Sequence, residues 1–210
     1  YPGQGSGATG WAPIMGVGYY QALVQWSKGE YATANNTEDD YVVMGANGLP
    51  VRTDDHGNTI GTATLLAGTA SGGVTTYAAT GVIERPGDID MFGFTAAAGT
   101  VTVTLNPAAR SPNLDAKVEL RDAAGNLLAT ANPVDALNAT LSFNVALPGT
   151  YYVGVQGVGK GDPLTTGYTN YGSLGNYALT VSALSANGTP PVAALTATPS
   201  SGTLPLTVNF

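Results

Sequence analysis

The stretch that decides the fold is residues 81–105, GVIERPGDIDMFGFTAAAGTVTVTL, in which two runs of strand-forming residues flank a glycine turn. The runs are IDMFGF (89–94) and VTVTL (101–105), and the AAAGT between them supplies a glycine that adopts positive φ at little cost. Comparable runs follow at spacings of about ten residues, which predicts a β-sandwich, with a barrel as the alternative. These further runs are 116–122, 139–145, 151–155 and 176–184.

Alternation of apolar and polar residues in these runs predicts which side chains face the core. The expected inward set is Ile89, Phe92 or Phe94, Val101, Val103, Leu105, Val118, Leu120, Leu141, Phe143, Val145, Tyr152, Val153, Val155, Leu179 and Val181.

Composition excludes several classes of protein. The chain has 210 residues, a net charge of −7 and no cysteine. Without a basic patch we expect no nucleic-acid partner, and without an apolar run of about 20 residues we expect no membrane span. Disulfides are excluded, and an acidic chain rich in threonine and glycine suits a secreted bacterial protein, which we expect to be a monomer.

Composition also divides the chain into zones. Residues 1–50 are rich in aromatic residues, 51–80 form a polar connector, and 81–184 carry the strand pattern. Residues 185–191, SANGTPP, have the turn chemistry of a linker, and residues 192–210 follow it.

One helix is predicted in the first zone. Thr37 can cap it, and the acidic residues 38–40 would occupy its first turn, where they oppose the positive end of the helix. Gly45 or Gly48 can end it.

No complete catalytic site can be assembled from these residues, so no catalytic residue is assigned. The only histidine is His56, in DDHGN. A metal site built from Asp54, Asp55 and His56 is disfavoured, because adjacent residues of an extended chain point in different directions. An exposed polar turn is the simpler interpretation.

Asp88 and Asp90 lie two residues apart on a predicted strand and so share one face. They could bind calcium together, since carboxylates are its usual ligands. The simpler alternative is that both are solvent-facing residues at the start of the strand. Asn113, Asp115 and Asp162, in two polar loops, could also help to hold an ion.

Tyr168 and Tyr171 lie in a long loop, 157–175, close in sequence to Tyr177. They could form a binding surface for carbohydrate or peptide, because tyrosine combines an apolar ring with a polar tip. Alternatively, they plug one end of the sandwich beneath the loop.

Residues 11–43, WAPIMGVGYYQALVQWSKGEYATANNTEDDYVV, resemble the segment that follows the zinc motif in bacterial metzincin-type metallopeptidases. The resemblance makes Met15 the methionine of the Met-turn and puts Tyr19 or Tyr20 near the substrate cleft. It implies zinc only in a parent protein, because HExxH is absent here. We therefore expect an inactive fragment, with residues 1–50 the end of a catalytic domain.

Residues 81–105, 111–130 and 147–181 resemble the bacterial pre-peptidase C-terminal (PPC) domain, a β-sandwich appended to secreted peptidases. The resemblance implies a role in secretion, maturation, or attachment to a protein or polysaccharide substrate or to the cell surface. Residues 190–210 resemble the first strands of a PKD domain, an immunoglobulin-like module. The alternative is a stand-alone extracellular module that binds carbohydrate or protein.

If a catalytic body is missing, the aromatic residues of 1–50 lack part of their packing partner. We therefore expect residues 1–50, with Trp11 and Trp26, to be exposed, misfolded or labile to proteases, while residues 81–184 resist cleavage.

Overall fold

A computed structural model describes residues 1–186 of the chain. The predicted PKD strands (192–210), and the predicted linker beyond its first two residues, lie outside the described residues.

Ten strands, β3 to β12, form two five-stranded sheets that face each other, as a β-sandwich requires. The strand order is β10-β7-β12-β5-β4 in the first sheet and β3-β6-β11-β8-β9 in the second. The strands are β3 (Thr64–Leu65), β4 (Gly68–Ser71), β5 (Val74–Ile83), β6 (Ile89–Ala96), β7 (Gly99–Pro107), β8 (Ala116–Arg121), β9 (Leu127–Ala131), β10 (Ala139–Val145), β11 (Gly149–Gly157) and β12 (Gly175–Leu184).

The six predicted strand runs correspond to β6, β7, β8, β10, β11 and β12, so the mainly β sandwich class is confirmed. Most of the predicted inward set belongs to one buried cluster between the sheets. Its members are Tyr77, Ile83, Phe92, Phe94, Ala96, Val101, Val103, Leu105, Leu114, Ala116, Val118, Leu120, Ala139, Leu141, Val145, Tyr151, Val153, Val155, Tyr177, Leu179, Val181 and Ala183.

The alternation of side chains corrects two members of the predicted set. On β11, Tyr151 has the parity of the buried Val153 and Val155, so Tyr151 faces the core and Tyr152 is only half-buried. On β6, the core face carries Phe92 and Phe94, whereas Ile89 has the opposite parity.

Residues 1–50, called here the N-terminal segment, contain two short parallel strands, β1 (Trp11–Pro13) and β2 (Leu23–Gln25), and one α-helix, α1 (Asp40–Ala46). Two 3-10 helices are also present, of which Gly7–Thr9 precedes β1 and Gly18–Tyr20 lies between β1 and β2. The predicted helix is present, but Asp39 rather than Thr37 caps it. The Asp39 carboxylate accepts a hydrogen bond from the Val42 backbone N–H, which satisfies one of the free donors of the first turn.

The N-terminal segment packs on the sandwich. Trp11 is only 5% exposed and clusters with Leu23, with Leu137 of the β9–β10 loop and with Tyr168 of the β11–β12 loop. The expectation that Trp11 is exposed is therefore wrong, because sandwich loops supply its packing partner. Trp26 remains 37% exposed.

The core of the second sheet allows a matched pair of leucine substitutions. Leu120 on β8 is fully buried, whereas Leu127 on the neighbouring β9 is 52% exposed. We expect Leu120→Ala to lower the free energy of unfolding by about 2–5 kcal/mol, because it leaves a cavity. Leu127→Ala should lower it by under about 1 kcal/mol in the same urea titration. Equal losses in the two variants would contradict this placement of the core.

Candidate metal centre

A tight turn between β5 and β6 carries the candidate site. The Asp88 backbone N–H donates to the Arg85 carbonyl at 3.2 Å, and Gly87 has φ of 82°. Proline at the second position and a positive-φ glycine at the third are typical of a type II turn. The turn brings Glu84, Asp88 and Asp90 to one end of the sandwich.

Three carboxylates meet at this end. Asp54 comes from the connector, Asp88 from the turn and Asp90 from the first residues of β6, and one oxygen of each lies within 4.8 Å of the others. Oxygens that bind one calcium ion at about 2.4 Å can be at most about 4.8 Å apart, so one ion could reach all three.

Two of these carboxylates are buried and only partly hydrogen-bonded. Asp88 is 1% exposed and Asp90 is 0% exposed. Oδ2 of Asp88, Oδ1 of Asp90 and both carboxylate oxygens of the adjacent, buried Glu84 have no hydrogen-bond partner within the described part of the chain. Buried acceptors are normally satisfied, so these carboxyl groups require either bound protons or a positive counter-ion.

Burial and mutual repulsion make the cluster hold protons when no cation is present. Burial raises the pKa of Asp90 to about 8, although a hydrogen bond from the Tyr177 hydroxyl opposes this shift. Burial and the neighbouring Asp88 raise the pKa of Glu84 to about 7. Burial also raises the pKa of Asp88.

The neighbours of the cluster supply hydrogen bonds and one positive charge. The Arg85 guanidinium donates to Asp54 at 2.8 Å, outside the buried pair. In the orientation that its surroundings require, the Asn58 amide group donates to the Ile89 carbonyl at 2.9 Å and to Asp88 Oδ1 at 3.1 Å. The Gly57 carbonyl accepts from the Met91 N–H at 3.1 Å, which fastens the connector to β6.

The ligand chemistry of this site fits a hard cation. Asp54, Asp88 and Asp90 offer only oxygen, which suits calcium or magnesium better than zinc. Both ring nitrogens of His56 are engaged elsewhere, at 2.8 Å from Thr64 Oγ1 and 3.1 Å from the Thr80 carbonyl.

The structure corrects two interpretations of acidic and polar residues. Asp88 and Asp90 are not solvent-facing, because the side-chain alternation of β6 puts Asp90 on the core face with Phe92. His56 is not in an exposed turn, because its ring is half-buried and lies 4.6 Å from the ring of Phe92.

The predicted tyrosine surface is buried in this structure. Tyr168 and Tyr171 are 2% and 5% exposed, so they cannot form an open binding face. The Tyr168 hydroxyl donates to buried Asp115 and the Tyr171 hydroxyl donates to Asp39, both at 2.7 Å. These residues plug the end of the sandwich, which was the alternative interpretation.

The other polar loop residues do not join the cluster. Asn113 bonds to the backbone N–H of Val24 through its side chain at 3.2 Å. Asp115 is buried beside Tyr168, and Asp162 accepts from the Leu164 N–H within its own loop.

The turn that carries Met15 lies at the exposed surface of the N-terminal segment. The Gly16 N–H donates to the Pro13 carbonyl at 2.8 Å and closes the turn. Met15 is 88% exposed, and Tyr19 and Tyr20 are each 90% exposed.

The sequence pattern singles out Asp88 and Asp90 as a candidate pair, which stays a prediction. It gives no role to Glu84, and it places Asp54 in a disfavoured set with Asp55 and His56. The alternation from Asp90 to Phe92 to Phe94 was an available signal for a buried Asp90. No local pattern indicates that the connector folds back to bring Asp54 to the turn.

The raised pKa of Asp90 gives a testable pH dependence. The pKa of Asp90 in the folded state, about 8, lies above its ordinary value of 3.8. Between about pH 4 and pH 8, Asp90 therefore holds a proton in the folded state that it loses on unfolding. Without a divalent cation, the contribution of Asp90 to the free energy of unfolding is therefore greatest below about pH 4. This contribution is lost as the pH rises toward about 8. Each pKa unit of difference corresponds to about 1.4 kcal/mol.

We expect urea titrations in chelator to show lower unfolding free energies at pH 8 than at pH 5, and Asp90→Asn to reduce this difference. Asp135→Asn, on the exposed β9–β10 loop and away from the cluster, is the control and should leave the difference unchanged. An equal pH dependence in the wild type and Asp90→Asn would contradict the assignment.

Comparison with known proteins gives one family match and several structural similarities. None of the curated proteins compared with this chain matches it. No helix in residues 1–186 is both long and apolar enough to cross a bilayer.

Three solved structures are similar at low sequence identity. The pre-peptidase C-terminal domain of a Bacillus anthracis collagenase is 18% identical, with 62% of this chain and 97% of that chain covered and a TM-score of 0.37. PliG of Aeromonas hydrophila, a periplasmic inhibitor of g-type lysozyme, is 14% identical, with coverages of 57% and 95% and a TM-score of 0.39. A mutant of the Escherichia coli PliG is 11% identical, with coverages of 57% and 96% and a TM-score of 0.35.

The family match covers β6 to β11 and includes Asp88 and Asp90. Residues 88–157 match the model described as the bacterial pre-peptidase C-terminal domain. The predicted PPC domain is therefore confirmed over these residues, as part of the β-sandwich that carries the carboxylate cluster.

Proposed function

We propose that this chain is a non-catalytic part of a secreted bacterial peptidase, in which a calcium ion at Asp54, Asp88 and Asp90 stabilises the PPC sandwich. The observation that carries the calcium site is the pair of buried oxygens, Asp88 Oδ2 and Asp90 Oδ1, that lack hydrogen-bond partners in the described part of the chain. A bound cation would neutralise charges that repel one another at low dielectric.

Such an ion would also link separate pieces of the chain. Asp54 lies in the connector before β3, whereas Asp88 and Asp90 belong to the β5–β6 turn and to β6. Binding would fix the connector against the end of the sandwich, and any ligand that binds only the folded state raises its stability. Arg85, which pairs with Asp54, would then be free to turn toward solvent.

Calcium should therefore raise the melting temperature at pH 7.5 relative to chelator, with magnesium raising it less because Mg²⁺ demands stricter octahedral geometry. Asp54→Asn and Asp88→Asn should abolish most of the rise, since each removes a charged ligand. Asp55→Asn is the matched control, because it removes a neighbouring charge but no ligand, and it should retain most of the rise. An unchanged wild-type midpoint, or an equal loss in Asp55→Asn, would rule out this calcium site.

The proposal of a zinc metallopeptidase as the parent protein rests on residues 11–43 and their resemblance to the metzincin Met-turn segment. Met15 is exposed on its turn, and Tyr19 and Tyr20 are exposed on the 3-10 helix Gly18–Tyr20 that follows it. Residues 1–27 contain no charged side chain, and charge depletion with exposed aromatic residues is typical of interface cores. A catalytic body that covers this turn would account for both features.

The gene sequence tests this parentage directly. We expect the codons upstream of Tyr1 to encode, in frame, a helix with two histidines flanking a glutamate as in HExxH, because three zinc ligands and a base are required. An open reading frame that begins at or near Tyr1, or an upstream sequence without such a motif, would refute the peptidase parent. The calcium site would be unaffected by that result.

A further inference from the structure

The loops at one end of the sandwich hold the N-terminal segment through contacts of several kinds. Three loops take part: the β7–β8 loop (residues 108–115), the β9–β10 loop (132–138) and the β11–β12 loop (158–174). Together they are called here the docking end. No calcium ligand and no part of the Met15 turn belongs to it.

An apolar anchor lies at the centre of the docking end. Trp11 and Leu23 are buried against Leu137 and Tyr168, which are themselves 8% and 2% exposed. Buried tryptophan and tyrosine residues surrounded by less buried contacts are characteristic of strong protein interfaces. Tyr19 of the segment is 90% exposed and does not belong to this cluster.

Polar contacts fix the register of the segment on the docking end. The Gln25 amide joins the two sides, since Nε2 donates to the Asn113 carbonyl at 2.6 Å while Oε1 accepts from Trp11 Nε1 at 2.8 Å. The Gln4 amide donates to the Pro163 carbonyl at 2.8 Å and also to the Gly167 carbonyl.

Further contacts lie around the rim. Lys160 Nζ donates to Thr9 Oγ1 at 2.7 Å. Near α1, the Tyr171 hydroxyl donates to Asp39 Oδ1 at 2.7 Å, and the rings of Tyr41 and Tyr171 lie 4.6 Å apart. The contacts therefore extend from Gln4 to α1.

The covalent connection between the two parts makes few contacts by comparison. Leu49 and Val51 are 67% and 45% exposed. Residues 50–53 make no hydrogen bond within the described part of the chain. Exposed segments of this kind are where proteases cut first.

We propose that the docking end is a binding surface for the N-terminal segment that persists after the chain is cut at residues 50–51, so that the sandwich remains a non-covalent subunit. The occupant is residues 1–46 of this chain, held by the Trp11 anchor and the Gln4 and Gln25 hydrogen bonds. Cleavage in the connector therefore separates the covalent chain without releasing the sandwich. This inference is independent of calcium and of the identity of the parent protein.

A site-specific protease sequence inserted between Pro50 and Val51 of the full chain tests the proposal. After complete cleavage, gel filtration and native mass spectrometry at about 1 µM should find both pieces in one particle with the mass of the whole chain. Separation of the two pieces under native conditions would overturn the proposal.

Glycine variants give a matched test from the sandwich side. A Cβ at Gly172 would lie 2.5 Å from Gln25 Cβ and 2.8 Å from the Trp26 carbonyl oxygen, whereas a Cβ at Gly149 meets nothing within 4 Å. Gly172→Ala should weaken association of the cut pieces at least tenfold, and Gly149→Ala should leave it unchanged.

A second pair tests the same surface from the segment side, in case Gly172→Ala perturbs its own loop. Trp11→Ala removes the buried anchor and should also weaken association at least tenfold, whereas Tyr19→Ala alters a 90% exposed ring and should not. Wild-type association in both Gly172→Ala and Trp11→Ala would overturn the assigned surface.

Discussion

The conflict between charge and burial at the start of β6 organises this end of the molecule. Asp90 shares the core face of the strand with Phe92 and Phe94, and the tight turn brings Asp88 beside it. Two buried carboxylates with free oxygens can be accommodated only by protonation or by a counter-ion. The position of the connector follows from the same constraint, because Asp54 and the Asn58 amide approach the turn from that segment.

The contacts at the docking end, which lies at the same end of the sandwich as the carboxylate cluster, join the two halves of the chain by conventional packing. Trp11, Leu137 and Tyr168 bury apolar surface, while Gln4 and Gln25 satisfy backbone carbonyls that the loops would otherwise leave without donors. The sandwich loops therefore have a structural role for the N-terminal segment.

Sequence pattern predicted the sandwich well because strand alternation is a local property. The boundaries of β10, residues 139–145, and the start of β6 at Ile89 agree with the predicted runs. The failures concern contacts between distant residues. Nothing near Trp11 in the sequence indicates Leu137 or Tyr168 as its partners, and nothing near Asp54 indicates Asp90. The sequence favoured a plug over a binding surface for Tyr168 and Tyr171 only slightly, and the packing of the N-terminal segment distinguishes the two.

The position of β12 has a consequence for the order of assembly. This last described strand lies in the middle of its sheet, bonded to β5 on one side and β7 on the other. Until Leu184 has left the ribosome, the first sheet has a gap at its centre, and β5 and β7 cannot pair with each other across it. The complete first sheet therefore cannot form until β12 has been synthesised, because the other strands of that sheet leave the ribosome before their central partner.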